Sequence, residues 1–461
     1  MRRSLESLEE HKRELVATLH HLLGQGEGAR GLVLNLVTGF HAADIADILD
    51  VLEPDEAAKV LSLLDEETAS DALTEMEDAA RTAVMEQVAP HDIASLVEAM
   101  ESDDAADVVA DLPEERVQEV LKHVAEEDRE EIEELLVHEE DTAGGLMAAE
   151  FVAVPESASV TEAIEAIRQA VEETEAIYYV YVVDERGRLT GLLSLRDLLL
   201  APSARHVNDF MSSEVVSVPV DMDQEDVAHL VQQYDLAAIP VVDAEGRLVG
   251  RVTHDDIADV LEEESEEDFR RLAGVSEGFF HERSSLRIAG SRLPWLMVSV
   301  FGALVAALVI HRNEDLIRQL TAIAAFIPVI IAVAGSTGLQ SSIVVVRGLA
   351  TGQADLVHIG RTVFREIRVG LIIGIVCGLL VGAVSWLTLR QPEMGLVVGL
   401  SMLSAIAVAA TMGAAVPLTL DRLKADPALA TGPFITMTND IVGLLIYFGF
   451  AGTLLRAFGL I

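Results

Sequence analysis

The chain of 461 residues has a single cysteine, an aromatic content of 4%, and only 32 basic side chains against 77 acidic ones, for a formal charge of −45. The lone Cys377 sits in an apolar run, which excludes an intrachain disulfide framework and a thiolate-rich zinc site. The scarcity of Lys and Arg excludes a nucleic-acid binder, because phosphate is repelled by a surface of its own sign; cationic partners are favoured instead. No apolar stretch follows Arg2 and Arg3, so a cleaved signal peptide is not expected. No glycine-rich phosphate loop opens a helix, and His20, His21 and His138 form no ligand spacing with nearby acids. No enzyme activity is therefore expected.

What the chain does have is segregated. Hydrophobic residues make up 51% of the chain, and the mean hydropathy is +0.35. Residues 1–275 hold 67 acidic and 19 basic side chains, whereas residues 276–461 hold 10 and 13. A very acidic soluble half is thus joined to a nearly neutral apolar half. Apolar runs recur at Leu293–Ile310, Thr321–Gly335, Val369–Leu389, Gly395–Leu420 and Phe434–Leu455. Most reach the length of about 18 to 25 residues that crosses a hydrocarbon core as a helix. The second run meets Ser336-Thr337-Gly338-Leu339-Gln340-Ser341-Ser342 and resumes at Ile343–Val346, which reads as one interrupted helix over 321–346. These runs lack the polar face of a soluble surface helix, so five membrane spans are expected. Arg283, Arg287, Arg292, Arg347, Arg361, Arg365, Arg368, Arg422 and Lys424 fall in loops on one side. That asymmetry puts the acidic half and the N-terminus in the cytoplasm and the C-terminus outside.

The acidic half contains two kinds of repeat. Asp44-Ile45-Ala46, followed by Asp55-Glu56-Ala57-Ala58, returns 48 residues later as Asp92-Ile93-Ala94 and Asp103-Asp104-Ala105-Ala106. Repetition of this kind points to stacked amphipathic helices from about 30 to 137. Further on, Val180-Tyr181-Val182-Val183-Asp184 with Gly191-Leu192-Leu193-Ser194-Leu195-Arg196-Asp197 returns as Pro240-Val241-Val242-Asp243 with Gly250-Arg251-Val252-Thr253-His254-Asp255-Asp256. Each copy reads strand, glycine turn, strand, and a helix capped by Ser194 or Thr253. The tandem resembles a pair of CBS domains. That resemblance implies a possible adenine nucleotide such as ATP, with Tyr179, Arg196 and Asp197 as its candidate ligands and Asp256 as the counterpart acid. First-turn acids that merely stabilise the helix are the competing reading.

Taken in order, the modules resemble the MgtE family of magnesium transporters across nearly the whole chain. The specific phrases are Ala143-Gly144-Gly145-Leu146-Met147, Ile177-Tyr178-Tyr179-Val180-Tyr181-Val182-Val183-Asp184, Asp426-Pro427-Ala428-Leu429 and Asn439-Asp440-Ile441-Val442-Gly443-Leu444-Leu445-Ile446-Tyr447. The family's second-span break is often Asn-rich, and some members carry Asn where Gly432 stands here. The expected fold class is a multidomain membrane protein with an all-α helical-repeat N domain at 1–137, an α/β tandem CBS pair at 138–262, a connecting plug helix at 263–292 and an α-helical pore domain with five spans at 293–461. The resemblance implies a homodimeric Mg²⁺ channel in the cell membrane, gated by cytoplasmic Mg²⁺. A nucleotide or Mg²⁺ sensor that does not conduct, and a Mn²⁺ or Co²⁺ transporter, are the alternatives.

Asp440 is the only acid within the fifth apolar run. An ionisable group at the bilayer centre costs roughly 2.5 to 3.5 kcal/mol and is by default functional. A hydrated Mg²⁺, which keeps several waters, suits one carboxylate surrounded by oxygen acceptors, and Thr436, Thr438 and Asn439 supply them. A structural Asp bonded between helices is the alternative. Thr337, Gln340, Ser341 and Ser342 are candidates to line the same path, and Glu366 is expected to form an interfacial ion pair with Arg365 or Arg368.

The dense acids elsewhere define a switch. Two carboxylates 4 Å apart repel by about 4 kcal/mol at an effective dielectric of 20, so acidic faces meet only when a cation lies between them. By resemblance, Asp71, Asp103 and Asp107 on the repeat domain face Glu225, Asp235, Asp255 and Asp259 on the CBS side. Glu264, Glu267 and Asp268 of the connecting helix approach Asp426. The i, i+4 spacing of Asp103 with Asp107, and of Asp255 with Asp259, puts each pair on one helix face.

Overall fold

The computed structural model describes residues 15–24, 30–171, 174, 176–273, 285–319, 321–350, 359–424 and 432–459. The chain divides into two compact units, Met1–Leu261 and Glu262–Ile461.

The first unit begins with a helix over residues 15–23 (α1). Short helices follow: α2 (Arg30–Val37), α3 (Ala42–Val51), α4 (Pro54–Leu61), α5 (Glu66–Thr74), α6 (Asp78–Met85), α7 (Pro90–Val97), α8 (Ser102–Ala110), α9 (Glu114–Leu121) and α10 (Glu126–Leu135). They are short because the sequence restarts them repeatedly. Pro54 and Pro90 stand at first-turn positions, and Asp65 accepts from the Thr68 amide as an N-cap. Acids crowd the first turns of most of them, where the helix dipole favours negative charge. The 48-residue repeat maps onto this pattern, with α3 and α4 recurring as α7 and α8. Helices stack two apart, α3 on α5, α5 on α7, α7 on α9 and α8 on α10, burying Ile45, Ile48, Leu49, Ile93 and Val97.

The two strand-rich repeats follow. The first comprises β1 (Ala153–Pro155), α11 (Val160–Ala170), β2 (Tyr179–Val183), β3 (Leu189–Ser194) and α12 (Leu195–Leu200). The second comprises β4 (Val218–Pro219), α13 (Gln224–Tyr234), β5 (Ala238–Val242), β6 (Leu248–Thr253) and α14 (His254–Ala273). Each builds a three-stranded sheet, β1-β2-β3 and β4-β5-β6, whose first pair is parallel and second antiparallel. Gly187 and Gly246, at φ +77° and +81°, close the hairpins, a conformation that favours glycine. The first repeat has its own core around Val180, Val182, Leu193 and Leu198. The core of the second, including Val227, Ile239, Val252 and Ile257, is continuous with that of the helical repeats through Ala143 and Met147. The Ala143-Gly144-Gly145 phrase makes this join: Ala143 N donates to Met222 O at 2.7 Å and Gly144 N to Val220 O at 2.9 Å. A Cβ at Gly145 would lie 2.6 Å from the carbonyls of Glu139 and Glu140, so only glycine fits there.

The second unit contains α15 (Ser285–Arg312), α16 (Glu314–Gln319), a 3-10 turn (Thr321–Phe326), α17 (Ile327–Ala350), α18 (Ile359–Leu389), α19 (Pro392–Arg422) and α20 (Pro433–Ala457). Among the described residues, five helices are long and apolar enough to cross a membrane: Ile288–Arg312, Ala324–Leu349, Gly360–Leu389, Pro392–Leu420 and Pro433–Ala457. The five expected spans are therefore present. Helix α19 packs against α17, α18 and α20, and α20 also against α15 and α17. Phe301, Leu304, Leu308, Ile372, Leu379 and Leu387 point outward, a face suited to lipid rather than water.

The expected interruption of the second span is corrected. α17 runs unbroken from Ile327 to Ala350, through Ser336 to Ser342. Its polar residues are absorbed within the helix, as where the Thr337 hydroxyl donates to Val333 O at 2.8 Å.

Candidate functional site

Two polar constellations include residues that the sequence analysis singled out. The first is the seam between α17 and α20. Asn439 is 2% exposed, and neither its Oδ1 nor its Nδ2 has a hydrogen-bond partner. A buried amide with both ends unsatisfied is costly. It fits there because α17 presents Gly338: any Cβ at that position would overlap Asn439 Nδ2. One residue on, half-buried Asp440 lies opposite Gly335, with Oδ1 3.5 Å and the Thr436 methyl 3.7 Å from where a Cβ on that glycine would stand. Asp440 makes no ion pair among the described residues. Thr436 and Thr438 donate to the carbonyls of Gly432 and Phe434 at 2.9 and 2.8 Å, leaving hydroxyl lone pairs as acceptors. Ser341 and Ser342 are buried, the Ser342 hydroxyl without a partner, whereas Gln340 is exposed. Glu366 is buried, 3.5 Å from Arg365 Nε. In this seam α20 carries the carboxylate and amide, and the glycines of α17 make room for them.

The second constellation joins α8 to β6 and α14. Asp103 is buried at 8% exposure. Burial first, and then the charges of Asp104, Asp256 and Glu101, push its carboxyl well above the usual range. Asp256 is raised as well, because burial outweighs the hydrogen bonds that Thr253 donates from its hydroxyl and amide at 2.7 and 2.8 Å; the same hydroxyl also reaches Asp255. Asp107, Asp255 and Asp259 are exposed, as is Asp235, which ends α13 in a left-handed turn at φ 52°. Glu225, Glu264 and Glu267 are partly exposed. Asp71, on α5, is raised by partial burial and by Glu67 and Asp65. The Asp268 side chain and Asp426 lie outside the described residues.

Asp103 thus lies within electrostatic reach of Asp256. Among the described residues, no three His, Cys, Asp or Glu side chains gather as a metal cage. Sequence reasoning did not assign Asp256 to this cluster, and it missed Glu101, Glu150 and Arg251, which surround it. Arg251, 4% exposed, donates from Nη2 to the Glu101 carboxylate at 2.7 and 3.0 Å and from Nε to Glu150 O at 2.8 Å. Its place where the first repeat has Leu192 was the one available signal.

The candidate nucleotide residues divide. Tyr179 lines a narrow cleft with Phe151, Thr174, Tyr178, Tyr181, Ala238 and Arg251, whose free volume of about 10 Å³ is that of one water. Its hydroxyl accepts from Ala237 N at 3.4 Å. Asp197 is bound to the cap of α12, its Oδ2 accepting from the Ser194 hydroxyl at 2.6 Å, and Arg196 is exposed.

The fold and these two constellations define a multi-pass membrane protein with an acidic helical-repeat module and a CBS pair. Comparison with known proteins gives the family. The profile described as divalent cation transporter, MgtE, matches residues 327–450, that of the MgtE intracellular N domain matches 40–141, and that of the CBS domain matches 143–204 and 207–263. The chain is similar to the magnesium transporter MgtE of Thermus thermophilus, 42% identical over 71% of this chain and 73% of that protein. It is similar also to MgtE of Enterococcus faecalis, 40% identical over 72% and 73%. The chain belongs to the MgtE family. Among solved structures it resembles the cytosolic domain of the Mg²⁺ channel MgtE in complex with ATP, at 37% identity and TM-score 0.49, over 53% of this chain and 99% of that one.

Proposed function

We propose that this protein carries Mg²⁺ across a membrane through a path that includes Asp440, Asn439 and Thr436, and that Mg²⁺ binding to the acidic half closes that path. The observation that carries the reading is the Asn439–Asp440 pair. Among the described residues it is a buried, unpartnered amide next to a carboxylate without an ion pair, on a helix apolar enough to span a bilayer. Such an arrangement is expensive as structure and explicable as a site for a hydrated cation. Two copies related by a two-fold axis would set two Asp440 carboxylates across one ion, so a homodimer is part of the proposal, as is a cytoplasmic acidic half. The relatives named as magnesium transporters support the choice of ion. In proteoliposomes, Asp440→Ala should abolish Mg²⁺ uptake while the protein remains folded; uptake at the wild-type rate would refute the pathway.

The sensor reading rests on Asp103, a buried carboxyl in the field of Asp104, Asp256 and Glu101, whose electrostatic cost a divalent cation would lower. Asp71, Asp107, Glu225, Asp235, Asp255, Asp259, Glu264, Glu267, Asp268 and Asp426 are the further acids proposed for the sensor. An adenine nucleotide at Tyr179, Arg196 and Asp197 is a secondary element.

A further inference from the structure

The internal repeat isolates one residue that the strand-turn-strand fold does not require. Gly191-Leu192-Leu193-Ser194 of β3 and Gly250-Arg251-Val252-Thr253 of β6 occupy the same place in the two copies. Leu192 bridges to Ser212 as Arg251 bridges to Ala148, and Gly191 abuts Met211 as Gly250 abuts Met147. The first copy has an apolar residue at this position and the second has a buried guanidinium. A charge is retained in such a place only when it is paired.

The pairing partners all lead to one helix. Glu101, which receives both Nη2 contacts, is the N-cap residue of α8. Glu150, whose carbonyl receives Nε, holds the Ser102 amide and hydroxyl with its carboxylate at 3.0 and 2.8 Å, and Ala149 N donates to the Ser102 hydroxyl at 2.8 Å. In the first copy the counterpart of Glu150 is Glu214, which is exposed. The arginine therefore occurs only in the copy that meets the helical repeats, and it holds the first turn of the helix bearing Asp103 and Asp107. Arg251 Nη1 and the Tyr181 hydroxyl stay buried without partners, so the strands of the CBS pair do not by themselves satisfy this guanidinium.

We propose that Arg251 is a positioning residue of the sensor: a resident cation that, through Glu101, fixes α8 against the second CBS repeat and supplies part of the neutralisation otherwise required of Mg²⁺. The proposal rests on the sensor reading above. It assigns Arg251 the task of setting the Mg²⁺ concentration at which the acidic faces close. Full-length protein in lipid nanodiscs, digested with protease across a Mg²⁺ titration and in chelator, tests it, with protection of residues 30–140 as the readout. Arg251→Gln should raise the protection midpoint by at least roughly tenfold, since losing one partner of a buried pair costs more than the free-energy equivalent of a factor of ten. The swapped pair Arg251→Glu with Glu101→Arg should move the midpoint back toward wild type. Should Arg251→Gln fail to fold, Arg251→Lys, which keeps the charge but loses the two-pronged contact, should give a smaller rise. Midpoints unchanged in all these variants overturn the proposal. A wild-type digestion pattern indifferent to Mg²⁺ overturns the sensor reading instead, and Arg251 is then judged by the chelator lanes alone: greater cleavage in Arg251→Gln than in wild type upholds its positioning role, and equal cleavage refutes it.

Discussion

At the scale of single residues, the junction acids make a claim about pH. Burial raises the carboxyls of Asp103 and Asp256 above their ordinary range, and the charges of Asp104, Asp256 and Glu101 raise Asp103 further. An acid whose native pKa exceeds its unfolded value binds more protons in the native state, so stability falls as pH rises from the unfolded value through the native one. In chelator, protection of the α8 junction should therefore increase as pH is lowered from neutral toward the carboxylate range, and Asp103→Asn should remove most of that dependence. A flat pH profile in wild-type protein, followed by hydrogen exchange of residues 102–110, would show that the two acids do not oppose closure. The sequence singled out Asp440 as the one acid in its apolar run and Asp103 through the family resemblance. The partnership of Asp103 with Asp256 was not legible, because it joins residues about 150 apart whose meeting depends on the Ala143-Gly144-Gly145 corner.

At the scale of elements, periodicity and length sufficed for the five spans, and the phrase shared by the two strand repeats gave their sheets. The second span is where local composition misled. A serine- and threonine-rich stretch with glycine reads as a break, yet within the helix the Thr337 hydroxyl returns to the carbonyl four residues back, and the small side chains admit a neighbour. Gly338 shows the cost of replacing them: its face is filled by Asn439, and the Gly338 carbonyl lies against Gly413 of α19. Gly338→Val should overpack the seam and destabilise the membrane unit by about 1–3 kcal/mol, with Mg²⁺ uptake falling together with thermal stability in detergent. Gly290→Ala, at a position with open space around it, is the matching control and should change neither.

At the scale of the whole molecule, the charge ledger and the core point in opposite directions, and their balance defines the switch. The helical repeats and the second CBS repeat share one apolar core through Ala143 and Met147, which draws them together, while 67 acids in the first 275 residues push them apart. Repulsion between exposed carboxylates is screened over about 8 Å at physiological ionic strength, so it acts mainly where faces are close, as at Asp103 and Asp256. Under the proposed gating, Mg²⁺ at such a face would reverse the sign of the interaction and select the closed arrangement in proportion to its differential affinity. Neutralising Asp103, Asp107, Asp255 and Asp259 to Asn should separate this effect from simple screening. The variant is expected to conduct, to lose inhibition by Mg²⁺ on the acidic side, and to show protease protection that no longer rises with Mg²⁺. Monovalent salt at matched ionic strength distinguishes the two mechanisms in wild-type protein, since screening responds to both salts and bridging only to the divalent ion. Inhibition retained in the quadruple variant, or reproduced by monovalent salt alone, would mean that these carboxylates are a solvated surface and that the sensing cation binds elsewhere.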